Sequence, residues 1–142
     1  MKTRDIIYGK YAVLTAYRSD QTRFKNQIAN RNLYRELKNE GYRVERSRGY
    51  YVHEKTGERV YEPGFIVHDI LPEKALYYGE KYKQESIFYK NGKNAALYYT
   101  DSANLGNTMV SFTHVIIGPD ALKEQFYTKP AYGEPFSFTV KE

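Results

Sequence analysis

Residues 43–70, RVERSRGYYVHEKTGERVYEPGFIVHDI, are the stretch on which the fold turns. Arg43 to His53 reads as a β-strand and Arg59 to Ile70 as its partner, because each run is rich in β-branched and aromatic residues and is bounded by turn formers. Glu54-Lys55-Thr56-Gly57-Glu58 between them is a turn, and its Thr-Gly step favours a hairpin. Pro63 has no amide hydrogen to give a ladder, so the second arm is expected to lie at an edge or to bulge there, and Gly64 beside it favours the bulge. Past that point Phe65, Val67 and Asp69 are expected on one face, with Ile66, His68 and Ile70 on the other. A strand apolar on both faces belongs in the middle of a sheet.

Before the hairpin, Tyr11 to Tyr17 (YAVLTAY) is β-prone, and Arg18-Ser19-Asp20 ends it with turn and cap formers. From about Gln27 to Glu40 the period changes. Ala29, Leu33 and Leu37 recur every four residues, Asn26 is placed to cap the start, and Gly41 can take the left-handed position after the end. Arg31, Arg35 and Lys38 fall on one flank of this helix beside Tyr34, as a solvated face or a basic stripe. After the hairpin, Pro72 suits the first turn of a second helix reaching about Lys83. Gly79 inside it points to close approach of helix and sheet, since glycine there costs about 1 kcal/mol against alanine. Ile87–Tyr89 and Ala95–Tyr99 flank Asn91-Gly92, a type I′ hairpin signal. The polar loop Asp101–Asn107 leads to one β-prone segment, Met109–Ile117. Gly118-Pro119-Asp120 then opens a short helix to about Phe126, and Phe136–Val140 reads as a last strand.

The order is β-α-β-β-α-β with further strands and one short helix. This predicts an α+β protein with a split βαβ, ferredoxin-like core, in which two helices cover one face of an antiparallel sheet. No repeat or linker divides residues 1–142, so one domain is expected.

An apolar fraction of 41% without low-complexity runs argues against disorder. Cysteine is absent, which removes thiol nucleophiles, disulfides and thiolate zinc sites and suits a reducing cytoplasm. No apolar run is long enough to span a bilayer, so a soluble, cytoplasmic protein without membrane partners is expected. The net charge of +5 permits attraction to polyanions without requiring it. Sixteen tyrosines, with an apolar ring and a polar tip each, can finish a core, stack on bases or form a recognition surface.

Metal binding is not expected: His53, His68 and His114 stand far apart, and none begins an H-x-x-x-H pair. Paired H-x-[ST] signatures, phosphate loops and nucleophile elbows are missing too, and no cofactor is indicated. Ser19 and Ser86 have no histidine placed to activate them. What remains is a set of polar residues at element ends: Asn30 and Arg31, Glu62 before Pro63-Gly64, and Gln84. A fold could bring Arg31, Glu62 and Gln84 together. Glu62 is the best candidate for a functional carboxylate, held ionised by Arg31, and the same facts fit, and fit better, a structural salt bridge that fixes the helix on the sheet. Gln84 suits a ligand amide or a cap on strand ends. With Tyr34 and Arg35, these residues make up the expected ligand-binding set.

Leu14-Thr15-Ala16-Tyr17-Arg18-Ser19, Asn30-Arg31 with Leu33, Leu37 and Gly41-Tyr42, Gly49-Tyr50, Glu62-Pro63-Gly64-Phe65-Ile66-Val67, and Ala75 with Tyr82, Gln84, Ser86 and Ile87 form a pattern. Over about residues 12–90 it resembles a bacterial and phage family described as domain of unknown function 3293. Gly64 stands where that family's pattern has a serine. The resemblance implies no activity; it implies a common polar centre of Asn30, Arg31, Glu62 and Gln84, and a mobile-element accessory role.

Three functions follow in order. A binding module for a nucleotide or nucleic acid would use the sheet face left uncovered in a split βαβ fold, with tyrosines on bases and basic residues on phosphate. A protein-interaction factor, such as an inhibitor of a host enzyme, would use a tyrosine-rich patch. A small enzyme on a nucleotide-like substrate would use Glu62 as acid or base and Arg31 as anion clamp. Oligomeric state is not legible at this level.

Overall fold

The computed structural model of the protein describes residues 1–53 and 55–140. Glu54, in the expected hairpin turn, lies outside the described residues. The elements run α1 (Thr3–Tyr8), β1 (Lys10–Leu14), α2 (Arg23–Asn39), β2 (Val44–Val52), β3 (Arg59–His68), α3 (Pro72–Lys81), β4 (Ser86–Asn91), β5 (Asn94–Tyr99), β6 (Thr108–Phe112), β7 (His114–Ile117), a 3-10 helix (Pro119–Lys123), β8 (Phe126–Pro130) and β9 (Phe136–Thr139). This is a mixed α and β fold, mostly antiparallel sheet with few helices. Helix α1 and strand β8, of six and five residues, are too short for hydrophobic periodicity to announce them. No helix of the described residues is long and apolar enough to cross a membrane.

The 43–70 hairpin forms as β2 and β3, in unbroken register from Val44 opposite Val67 to Val52 opposite Arg59. The expected bulge at Pro63 is therefore absent. Strand β1 pairs with β3 only as far as Leu14 opposite Phe65, so the side of β3 that Pro63 presents has already lost its neighbour. No ladder bond is forfeited there. The Pro63 carbonyl instead accepts from Thr15 Oγ1 at 2.8 Å and Asn30 Nδ2 at 3.0 Å. At the other end Asp69 has a φ of 59°, which ends the strand and sends Ile70 to the helix side with Phe65 and Val67 rather than to the Ile66 face.

The nine strands follow the order β6-β5-β4-β1-β3-β2-β8-β9-β7. Met109–Ile117 is not one strand: it bends at Thr113, so that β6 pairs with β5 while β7 pairs with β9. The first and last strands of the order are thus successive halves of one bent segment, and the sheet rolls into a nearly closed barrel. Its interior holds Tyr11, Ile66, Ala95, Phe112, Phe136 and Phe138, with Ile6 of α1 packed among them. The sheet face expected to be open for base stacking is therefore buried by the strands that follow β4, because its apolar side chains are too many to leave wet.

Helices α2 and α3 pack on the outer face over a second core that includes Leu14, Leu33, Leu37, Phe65, Val67, Ala75, Tyr78 and Ile87. Leu33 and Leu37 are 1% and 0% exposed, and each such burial contributes about 1.5–3 kcal/mol. Helix α2 begins a turn earlier than its apolar period suggests. Thr22, not Asn26, is the cap, accepting from the Lys25 amide at 3.2 Å. Asn26 lies inside the helix and brackets Arg18, whose amide donates to Oδ1 at 3.0 Å and whose carbonyl accepts from Nδ2 at 2.9 Å. Those bonds, with Asn30 on Ala16, take the chain after Leu14 out of the sheet, so the first strand stops short of Tyr17. Helix α3 is tied to α2 by Glu36, which accepts from Lys81 and Tyr82, and by Glu40, which accepts from Tyr78.

Candidate functional site

On α2, Gln27, Asn30, Arg31 and Tyr34 follow the spacing that puts four residues on one helical face. That face overlooks Arg46 and Ser47 of β2 and Pro63, Gly64 and Phe65 of β3, with Tyr17 at the turn after β1. Together these residues line a cavity of about 490 Å³. The Arg46 guanidinium lies 4.6 Å from the Tyr34 ring centroid, and Tyr34 in turn packs on Phe65 with centroids 5.4 Å apart. Neither Arg31 nor Arg46 has a carboxylate partner among the described residues.

Three residues of the expected ligand-binding set, Asn30, Arg31 and Tyr34, therefore share one cavity, while Arg35, Glu62 and Gln84 are not among its lining residues. Asn30 has its amide engaged by the backbone, accepting from the Ala16 amide at 2.7 Å and donating to Pro63. Arg35 is exposed on α2. Gln84 donates to the carbonyls of Tyr17 at 3.1 Å and Tyr82 at 3.3 Å, which caps chain ends.

Glu62 faces the other way. It stands four residues from Ile66 on an unbroken strand, so its side chain is on the inner face, whereas Arg31 belongs to a helix on the outer face. The expected Arg31–Glu62 pair does not form. Tyr51, two residues beyond Gly49 on β2 and on the same inner face, donates its hydroxyl to Glu62 Oε1 at 3.4 Å. Burial pushes the Glu62 carboxyl above the usual carboxylate range, and the Tyr51 hydrogen bond only partly opposes this. Gly49 sits directly opposite Glu62, and a Cβ there would meet only the Glu62 carbonyl oxygen, at 3.7 Å. Glu62 thus faces a strip of sheet without a side chain. The Ser47 hydroxyl, on the same face, is buried with no hydrogen-bond partner among the described residues. Tyr51 and Gly49 are the residues that sequence reasoning missed; only the register of β2 on β3 sets them beside Glu62. Among the described residues no group of three or more His, Cys, Asp or Glu gathers as for a metal ion.

No curated protein matches the chain. The model of the S-adenosylmethionine lyase family matches residues 12–137, from β1 through β9, and so spans both the α2 cavity and the Tyr51–Glu62 pair. With that match over most of its length, the chain belongs to the S-adenosylmethionine lyase family.

Proposed function

We propose that the protein is a lyase that cleaves S-adenosylmethionine at the bond between its sulfonium and its amino-acid chain. Family membership supports the substrate and the reaction class. The local observation that carries the placement is Glu62, a half-buried carboxylate with raised pKa whose side chain bonds to Tyr51 and faces the open strip at Gly49. The enzyme reading, last of the three from sequence, becomes the first. The expectation of nucleotide binding narrows to the adenosyl group of this substrate.

The substrate brings its own nucleophile. One oxygen of its carboxylate bonds to the γ-carbon, the γ-carbon–sulfur bond breaks, and the bonding pair stays on sulfur. The products are a neutral thioether, 5′-methylthioadenosine, and a five-membered amino lactone. No proton moves in this step, so no histidine or other general base is required. Glu62 acts on the α-ammonium group. In the ground state the substrate's own carboxylate balances that ammonium; as the carboxylate becomes an ester the amino-acid portion turns net positive. The attraction of Glu62 therefore grows toward the transition state, which is the condition for an interaction to accelerate the reaction. Tyr51 orients the carboxylate from the side away from the substrate.

The inner strand order β4-β1-β3-β2, with α2 and α3 on one face, supports reading the core as a split βαβ unit to which the later strands add a barrel wall. The functional proposal is tested by incubating the protein with S-adenosylmethionine and identifying products by mass spectrometry. Methylthioadenosine with the amino lactone is expected. Intact substrate overturns the proposal, and an unsaturated amino acid in place of the lactone overturns the displacement route.

A further inference from the structure

We propose that the cavity between α2 and strands β2 and β3 is a second site, separate from Glu62, that binds the phosphate and base of a nucleotide. Its charge points away from the lyase substrate. No acid is among its lining residues, and Arg31 and Arg46 bring two guanidiniums without carboxylate partners among the described residues. S-adenosylmethionine has a net positive charge and is repelled there, whereas a phosphate meets planar donors suited to bidentate contact.

The remaining lining suits a flat ring. Tyr34 contacts both Arg46 and its cross-strand neighbour Phe65, with Tyr17 also in the lining, so an aromatic base can extend this cluster. Gln27 adds an exposed amide on the same helical face for the edge of a base. The volume of about 490 Å³ lies within the range of small-molecule sites. Asn30 and Pro63 fix the wall through their mutual hydrogen bond, so the cavity is formed before a ligand arrives. A free mononucleotide and the phosphorylated end of a strand share this chemistry.

Calorimetric titration of the full chain with adenosine 5′-monophosphate, adenosine, inorganic phosphate and a 5′-phosphorylated oligonucleotide tests the site. The monophosphate is expected to bind at least about tenfold more tightly than adenosine or phosphate alone, and Arg31→Gln and Arg46→Gln each to weaken it at least about tenfold. Both side chains are exposed, so melting curves of the two variants are expected to match the parent. Tighter binding of the oligonucleotide identifies a strand end as the source, and tighter binding of the monophosphate a free nucleotide. No binding of the monophosphate, or parental affinity in both variants, overturns the proposal. Binding retained in Glu62→Gln shows that the site is separate; binding lost there overturns that separation.

Discussion

Replacing Glu62 by glutamine deletes a charge, keeps the volume and leaves an acceptor for the Tyr51 hydroxyl. In a buried ion pair the change would strand a guanidinium and cost about 3–5 kcal/mol. Glu62 has no such partner among the described residues. What is lost is the charged character of one long hydrogen bond, 3.4 Å, from a neutral donor, a difference of about 1 kcal/mol. What is gained is release from holding a carboxylate out of water, so the variant should melt within about 1 kcal/mol of the parent at neutral pH. The pH dependence has a definite sign. Burial raises the folded-state pKa, so the folded chain binds the Glu62 proton more tightly than the unfolded chain does. The stability from this group is complete below the ordinary carboxylate value of 4.5 and is lost as pH rises through the raised value. Glutamine has no such slope, so the variant should gain on the parent across that window and then hold a constant difference. Turnover should fall by about 10²–10³ on removal of a charge that acts chiefly in the transition state. Parent activity should decline as acidification protonates Glu62. Urea melts over a pH series, with methylthioadenosine release on the same samples, read both quantities. A variant destabilised by several kcal/mol, or one that turns over like the parent, would refute the reasoning.

Gly49→Val places a β-branched side chain opposite Glu62 where a Cβ makes only ordinary contact, so stability should change by less than about 1 kcal/mol while turnover is lost; unchanged turnover would show that the strip is not the substrate's path. Asn30→Ala removes the acceptor for the buried Ala16 amide, while the Pro63 carbonyl keeps its bond from Thr15, so chemical denaturation should show a loss of about 1–3 kcal/mol. Gly79→Ala drives a methyl to 2.6 Å from Thr100 Cγ2 and 2.7 Å from Ile87 Cγ2, both on side chains too buried to yield. An overpacking cost of about 1–3 kcal/mol, set against about 1 kcal/mol of helix propensity, leaves a net loss of roughly 0–2 kcal/mol, and a melting temperature above the parent's would contradict it.

Local chemistry was enough to place α2, α3, the β2–β3 and β4–β5 hairpins and the close approach at Gly79, because each has its cause within a few residues of itself. Leu33 and Leu37 repeat with the helical period, Gly92 with a φ of 61° turns the second hairpin, and Gly79 lies against the sheet as its cost demanded. Asn30, Arg31 and Tyr34 could be grouped for the same reason: they share one helical face. The partners of those residues were decided by tertiary structure. Alternation along β3 separates Phe65 from Glu62, so that one faces the α2 cavity and the other the barrel interior, and no local signal says which face α2 covers. Tyr51 and Gly49 meet Glu62 only through the register of β2 on β3. Pro63 looked like a bulge because sequence shows the missing donor but not that the β1 pairing ends at Phe65, two residues away, and leaves nothing to donate to. The bend at Thr113 has the same origin. Met109–Ile117 is uniformly β-prone, and only the packing of Phe112 and Phe138 on the inner face of the rolled sheet divides it between two neighbours, since burial of apolar surface depends on what the rest of the chain brings near.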